Sequence, residues 1–209
     1  NGFIGLGETQ YKSGSRVSRE LKCWNPVLQS ADRDMLGEKA VTEARAQDLA
    51  RNNGFIKGAL QNAKDRVVGA QFKLQHRPRH KMLGLELSQL SAWVSNVEQR
   101  FQAWAEAPDC YVDARRQMTF SQMIREAIGQ NFSQGERFHS REWKQSKSGF
   151  STCFLSVEPE RIDTPQSVSM DESIRAGIKS DKYGEAIGYW VKTRHSRDIA
   201  TNQYNEVYD

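Results

Sequence analysis

The sequence predicts an α+β fold in which several amphipathic helices are followed by antiparallel β hairpins. Three observations point there. Apolar residues recur at helical spacing in segments between Asp34 and Ile128, short strand-like segments take over after Gly135, and glycine-containing polar turns separate those late segments. Helices first and hairpins later is the order of an α+β chain, not of a parallel doubly wound sheet. At 209 residues the chain can bury a core of its own. The expected organisation is a flexible arm over 1–30, an α+β domain over 31–195, and a loop or remnant over 196–209.

Taken in order, residues 1–22 mix Gly, Ser and Arg without a sustained period, as a flexible arm does. The Ala-rich, charge-laced stretch Asp34–Arg51 favours helix, and Asn52-Asn53-Gly54 offers residues that tolerate the left-handed conformation needed to end it. Gly54 is therefore the expected corner. Phe55, Ile56, Ala59, Leu60, Ala63 and Val67 then give a second helix with one face against the first, leaving Lys57, Gln61 and Lys64 in water. After Gly69, Gln71–Gln75 alternates as a half-buried strand does. Leu90, Trp93, Val94, Val97, Phe101 and Trp104 make the strongest amphipathic helix, over Ser88–Ala107 and closed by Pro108, with both Trp expected in the core. Thr119 and Gln122 stand at capping-box spacing and open a helix whose buried face is Phe120, Met123, Ile124, Ala127 and Ile128. Glu136–Lys144, Ser151–Val157, Ile174–Lys179 and Ala186–Lys192 read as strands. Gly184 is expected to take the positive φ of a bulged hairpin turn.

Thirty Lys and Arg against 26 Asp and Glu leave a net charge of +4, which permits contact with nucleic acid but is far from a histone-like excess. No apolar run approaches the roughly 20 residues of a membrane span. Cys23, Cys110 and Cys153 are odd in number and far apart, so they read as reduced, packing thiols of a cytosolic compartment. The chain starts at Asn1 without Met or a secretory signal pattern, as a processed or truncated piece would.

Motifs of chemistry are sparse. Gly54 and Gly58 lack the Gly-Lys-Ser/Thr that completes a phosphate loop, and no G-x-S-x-G elbow occurs. His76, His80, His139 and His195 lack zinc spacing, with Pro78 between the first two. No cofactor is expected. Pro108-Asp109 followed by Glu142-Trp143-Lys144 resembles a nuclease pattern in which the carboxylates hold Mg²⁺ and the lysine supports the attacking water. A helix intervenes between its two halves, and so short a pattern arises readily by chance. The run containing Lys73, His76, Arg77, Arg79, His80 and Lys81 has no acidic residue between Gln71 and Met82. It could meet phosphate through charge alone, as in a stand-alone DNA-binding module, or lie in a solvated loop or a subunit contact. Trp143, beside Arg141 and Lys144, could stack on a base, but an aromatic on a strand is more often core.

Several stretches together resemble the lambda family of phage portal proteins: Lys22-Cys-Trp-Asn-Pro26, Ala44 through Phe55 with its Arg-Asn-Asn-Gly, Val67-Val-Gly69, Leu74-Gln-His-Arg-Pro78, Thr119 through Glu126, and Ile178 to Asp181 with Gly184, Tyr189 and Val191. None is catalytic in form. The resemblance implies a structural, non-enzymatic subunit of a ring, usually of twelve, at one capsid vertex. Its implied partners are further copies of itself, the major capsid protein, terminase, neck and tail completion proteins, and the double-stranded DNA that passes through. It implies location in the virion, after assembly in the host cytoplasm. The portion present would be the outer wing, and family members continue into clip, stem and crown. Lys73, Arg77, Arg79 and Lys81 are then expected at protein contacts away from the DNA path.

Overall fold

The computed structural model describes residues 12–16, 18–84, 86–195 and 203–208. They group into two compact units that divide between Glu38 and Lys39. The first contains one short helix, α1 (Ala31–Met35), capped by Ser30, whose hydroxyl accepts the Arg33 amide. The arm expected over 1–30 falls partly outside the described residues; within them, Lys12–Gly14 forms a 3-10 turn and Cys23 is exposed, not packed as expected.

The second unit opens with α2 (Lys39–Asn52) and α3 (Gly54–Val67). Their corner is one residue wide, and Asn53 makes it. Its amide continues α2 by donating to Leu49 O, while its side chain accepts from the amides of Phe55 and Ile56 at 3.0 and 3.2 Å, a capping role that suits Asn. This corrects the expectation for Gly54, which is the first residue of α3 and is not among the positive-φ glycines. The buried stripe of α3 is also rotated from the expected one. Leu60, Ala63, Lys64 and Val68 turn inward, whereas Phe55 is 92% exposed and Ile56 and Val67 are exposed too.

The reason for that rotation lies on α6 (Phe120–Gln134), which packs against both α2 and α3. Gly129 leaves a notch there. A Cβ at that position would sit 2.3 Å from Lys64 Cε, so the lysine stem crosses α6 instead of lying in water. Arg125 of α6 adds a clamp, donating to Gly69 O at 2.8 Å and to Asp65.

Between α3 and α6 come the short α4 (His80–Leu83) and the long α5 (Leu87–Ala105). From α5, Phe101 and Trp104 join Phe72, Phe120 and Phe154 in an aromatic cluster with ring centroids 5.5–6.0 Å apart, each such pair contributing about 0.5–1.5 kcal/mol beyond its burial. Trp104 Nε1 donates to Thr152 O at 2.8 Å. Trp93, expected in the core, is 41% exposed. Thr119 forms the capping box expected with Gln122, and Gly135 ends α6 at φ 82°, where the absent Cβ removes the penalty.

The expected hairpin forms between β1 (Phe138–Trp143) and β2 (Thr152–Val157), paired antiparallel from Phe138↔Val157 to Trp143↔Thr152. The other edge of β2 is covered by the loop at Val112–Ala114. A second sheet has the order β3 (Ile174–Arg175), β4 (Ile178–Ser180), β5 (Ala186–Lys192), β6 (Tyr204–Tyr208). The single strand expected over Ile174–Lys179 is thus two, separated by Ala176 and Gly177 at φ 49° and 81°, two left-handed residues as in a tight hairpin turn. The loop expected over 196–209 contains β6, paired to β5 from Gly188↔Tyr208 to Lys192↔Tyr204. Residues 196–202 and 209 lie outside the described residues.

Candidate interaction site

The run 71–79, expected to begin as a strand, forms neither helix nor ladder, because no strand of this chain runs beside it among the described residues. It keeps a strand's alternation all the same. Lys73, Gln75, Arg77 and Arg79 are exposed, while Leu74, His76 and Pro78 are half-buried, the period-two pattern of extended chain. Pro78 also holds Arg77 away from helical backbone.

Two inward amides fix the run. Phe72 N donates to Ser121 Oγ at 2.7 Å, and that buried hydroxyl donates in turn to Glu106 at 2.5 Å. His76 N donates to Glu98 at 2.8 Å, and the His76 ring lies 4.9 Å from that of Trp93, which explains why Trp93 stays near the surface. On the outer side, Lys73, Arg77, Arg79 and Lys81 are exposed, and none forms an ion pair among the described residues. Some cations elsewhere are paired, as Lys192 is with Asp163 at 2.5 Å and Arg137 with Glu126 at 3.1 Å.

The nuclease-like residues are engaged separately. Asp109, in the turn after α5, accepts from the Tyr111 hydroxyl at 2.8 Å. Glu142, on β1, accepts from Ser140 at 2.7 Å, and Lys144 donates to Ala114 O at 2.9 Å. No hydrogen bond or ion pair joins any two of them among the described residues, nor does any cluster of three His, Cys, Asp or Glu suited to a metal occur there. Trp143 is 77% exposed, contrary to the core position expected for it, since its face of β1 is uncovered. Gly184, at φ 89°, closes the turn between β4 and β5. Asp181 shapes that turn by accepting from Tyr183 N and Glu185 N at 2.8 and 2.9 Å, and the register shifts at Lys179/Ser180 as in a bulge.

Two features escaped sequence reasoning. Asp113 is 1% exposed and accepts three amides, Arg115 N at 3.0 Å, Gln117 N at 2.9 Å and Met118 N at 3.2 Å, so it builds the loop into α6. An Asp placed shortly before a helix start is the only local signal for it. The other is Glu43, 8% exposed, beside Lys39 at 3.6 Å. Burial pushes its carboxyl up, the Lys39 ammonium opposes this, and the carboxylates of Glu160 and Glu136 add to the rise.

The lambda-family phage portal protein model matches residues 17–208. Portal protein B of Escherichia phage lambda is 37% identical over 179 residues, which is 85% of this chain and 34% of that protein. The portal protein of Escherichia phage N15 is 35% identical over 179 residues, again 85% of this chain and 34% of the relative. The chain therefore spans about a third of the length of the relatives it matches. Continuous similarity from the N-terminal unit through the second sheet means that this chain belongs to the lambda family of phage portal proteins.

Proposed function

We propose that this chain is the outer, wing-like part of a non-enzymatic ring subunit standing at one capsid vertex, through which double-stranded DNA passes during packaging and ejection. The observation that carries the reading is the family match across residues 17–208 together with 37% identity to a phage portal protein. On this reading the subunits close into a ring of twelve. The ring meets the major capsid protein, receives terminase during packaging and then neck and tail completion proteins, and it assembles in the host cytoplasm before residing in the virion.

Closed rings use heterologous contacts, in which one patch of a subunit meets a different patch of the next. The unpaired cations Lys73, Arg77, Arg79 and Lys81 suit such a protein contact, with carboxylates of the neighbour or of the capsid facing them. The mass of the full-length assembly tests the ring directly: a single species at an integral multiple near twelve subunits is expected, and a monomer at assembly concentrations would contradict it. The placement of the four cations has its own test. If all four neutralised phosphates, log K for duplex DNA would fall against log salt with a slope of about −3.6, from roughly −0.9 per contact. Such a slope, lost when the four become Ser, would assign the run to DNA instead.

A further inference from the structure

We propose that residues 73–77 form an open strand edge that takes an extended, acidic polypeptide segment by strand addition. The inference goes beyond the ring reading and does not depend on it. In extended chain the N–H and C=O of one residue point to the same edge, and those of the next residue to the other. The amides of Phe72 and His76 donate inward, to Ser121 and Glu98. Lys73, Gln75 and Arg77 consequently offer their peptide groups to the opposite edge, and none of these amides bonds to the chain among the described residues. A run whose side chains alternate as in a sheet, but which has no ladder partner among the described residues, is a template for another strand.

Charge selects the occupant. Lys73, Arg77 and Arg79 project from exposed positions of the same run, with Lys81 following, and no carboxylate of this chain pairs with them among the described residues. An incoming strand with acidic residues at alternate positions, spaced about 6.6–6.8 Å apart, matches that spacing. The free peptide groups select a polypeptide over a nucleic acid. The edge presents carbonyl acceptors as well as amide donors, and a phosphate chain supplies only acceptors, so it leaves the carbonyls unmet and repelled. A peptide backbone supplies both.

The test uses the full chain with an acetylated and amidated ten-residue peptide of alternating Glu and Thr. Amide hydrogen exchange should slow at least about tenfold at Lys73, Gln75 and Arg77 on saturation, with Phe72 and His76 unchanged because their amides are already bonded. Gln75→Pro removes one outward donor and should weaken binding at least about tenfold, while Gln75→Thr should not. Changing Lys73, Arg77 and Arg79 to Ser should also weaken it, with the melting temperature showing that each variant folds. A Lys-Thr peptide should not bind. Absence of Glu-Thr binding, or binding that leaves the three amides exchanging freely, overturns the proposal, as does protection of the same amides by duplex DNA. Because the wild-type exchange pattern is read without reference to ring mass, failure here leaves the ring proposal standing, and a missing ring leaves this result intact.

Discussion

Replacing Asp113 by Ala should destabilise the second unit by about 3–5 kcal/mol. The carboxylate accepts three amides at 2.9–3.2 Å from a nearly inaccessible position, and each amide left without a partner costs about 1–3 kcal/mol. The gross loss of about 3–9 kcal/mol is reduced because water can enter the half-buried loop and because a buried charge no longer has to be desolvated. For a unit of this size, the net figure corresponds to a fall in Tm of roughly 6–20 °C. Asp113→Asn keeps one acceptor oxygen, enough for the amides of Gln117 and Met118, and should cost less, about 1–3 kcal/mol. Urea unfolding followed by tryptophan fluorescence measures both, because Trp104 of the aromatic cluster reports on the neighbouring packing. A loss below about 1 kcal/mol for the Ala variant would show that the loop holds its shape without the carboxylate, and the reasoning would fail.

Gly54→Ala should be neutral to stabilising by up to about 1 kcal/mol, since Gly54 lies in helical backbone with open space around its Cα; a lower melting temperature would refute this. Gly177→Ala should cost on the order of 2 kcal/mol or more, because its φ is +81° and a Cβ would stand 2.5 Å from Asp163 N; thermal unfolding gives the figure. Glu43 titrates above its ordinary 4.5 in the folded chain, so the folded state holds this proton more tightly than the unfolded one. Its contribution is fully present below about pH 4.5 and is lost as pH rises through the folded value. Glu43→Gln should accordingly flatten the fall in stability on going upward from pH 4.5, and an unchanged pH profile in urea unfolding would contradict this.

Where structure follows from neighbours in the chain, the sequence was a good guide. Thr119 and Gln122 cap α6 through contacts three residues apart, and β1, β2 and β5 form within the segments expected as strands. The features not foreseen depend on distant partners. The orientation of α3 is set by Gly129, some 65 positions after Lys64 in the sequence. The break between β3 and β4 falls at an alanine with positive φ, a conformation that composition does not announce. At the candidate site the charges were legible, but the anchors were not. The amide of Phe72 finds Ser121, and that of His76 finds Glu98, across 49 and 22 positions. Gln71–Gln75, expected as a half-buried strand, pairs with no strand among the described residues, and an alternation of exposure is present only from Lys73 onward.

The central claim, that this chain is part of a portal subunit, is tested most directly by counting and locating its copies in purified virus particles. With the chain tagged and imaged by electron microscopy, and its amount measured against the major capsid protein, the account predicts a single cluster of about a dozen copies at one vertex of each particle. Copies spread over the whole shell, or particles that form and fill with DNA without the chain, would contradict it.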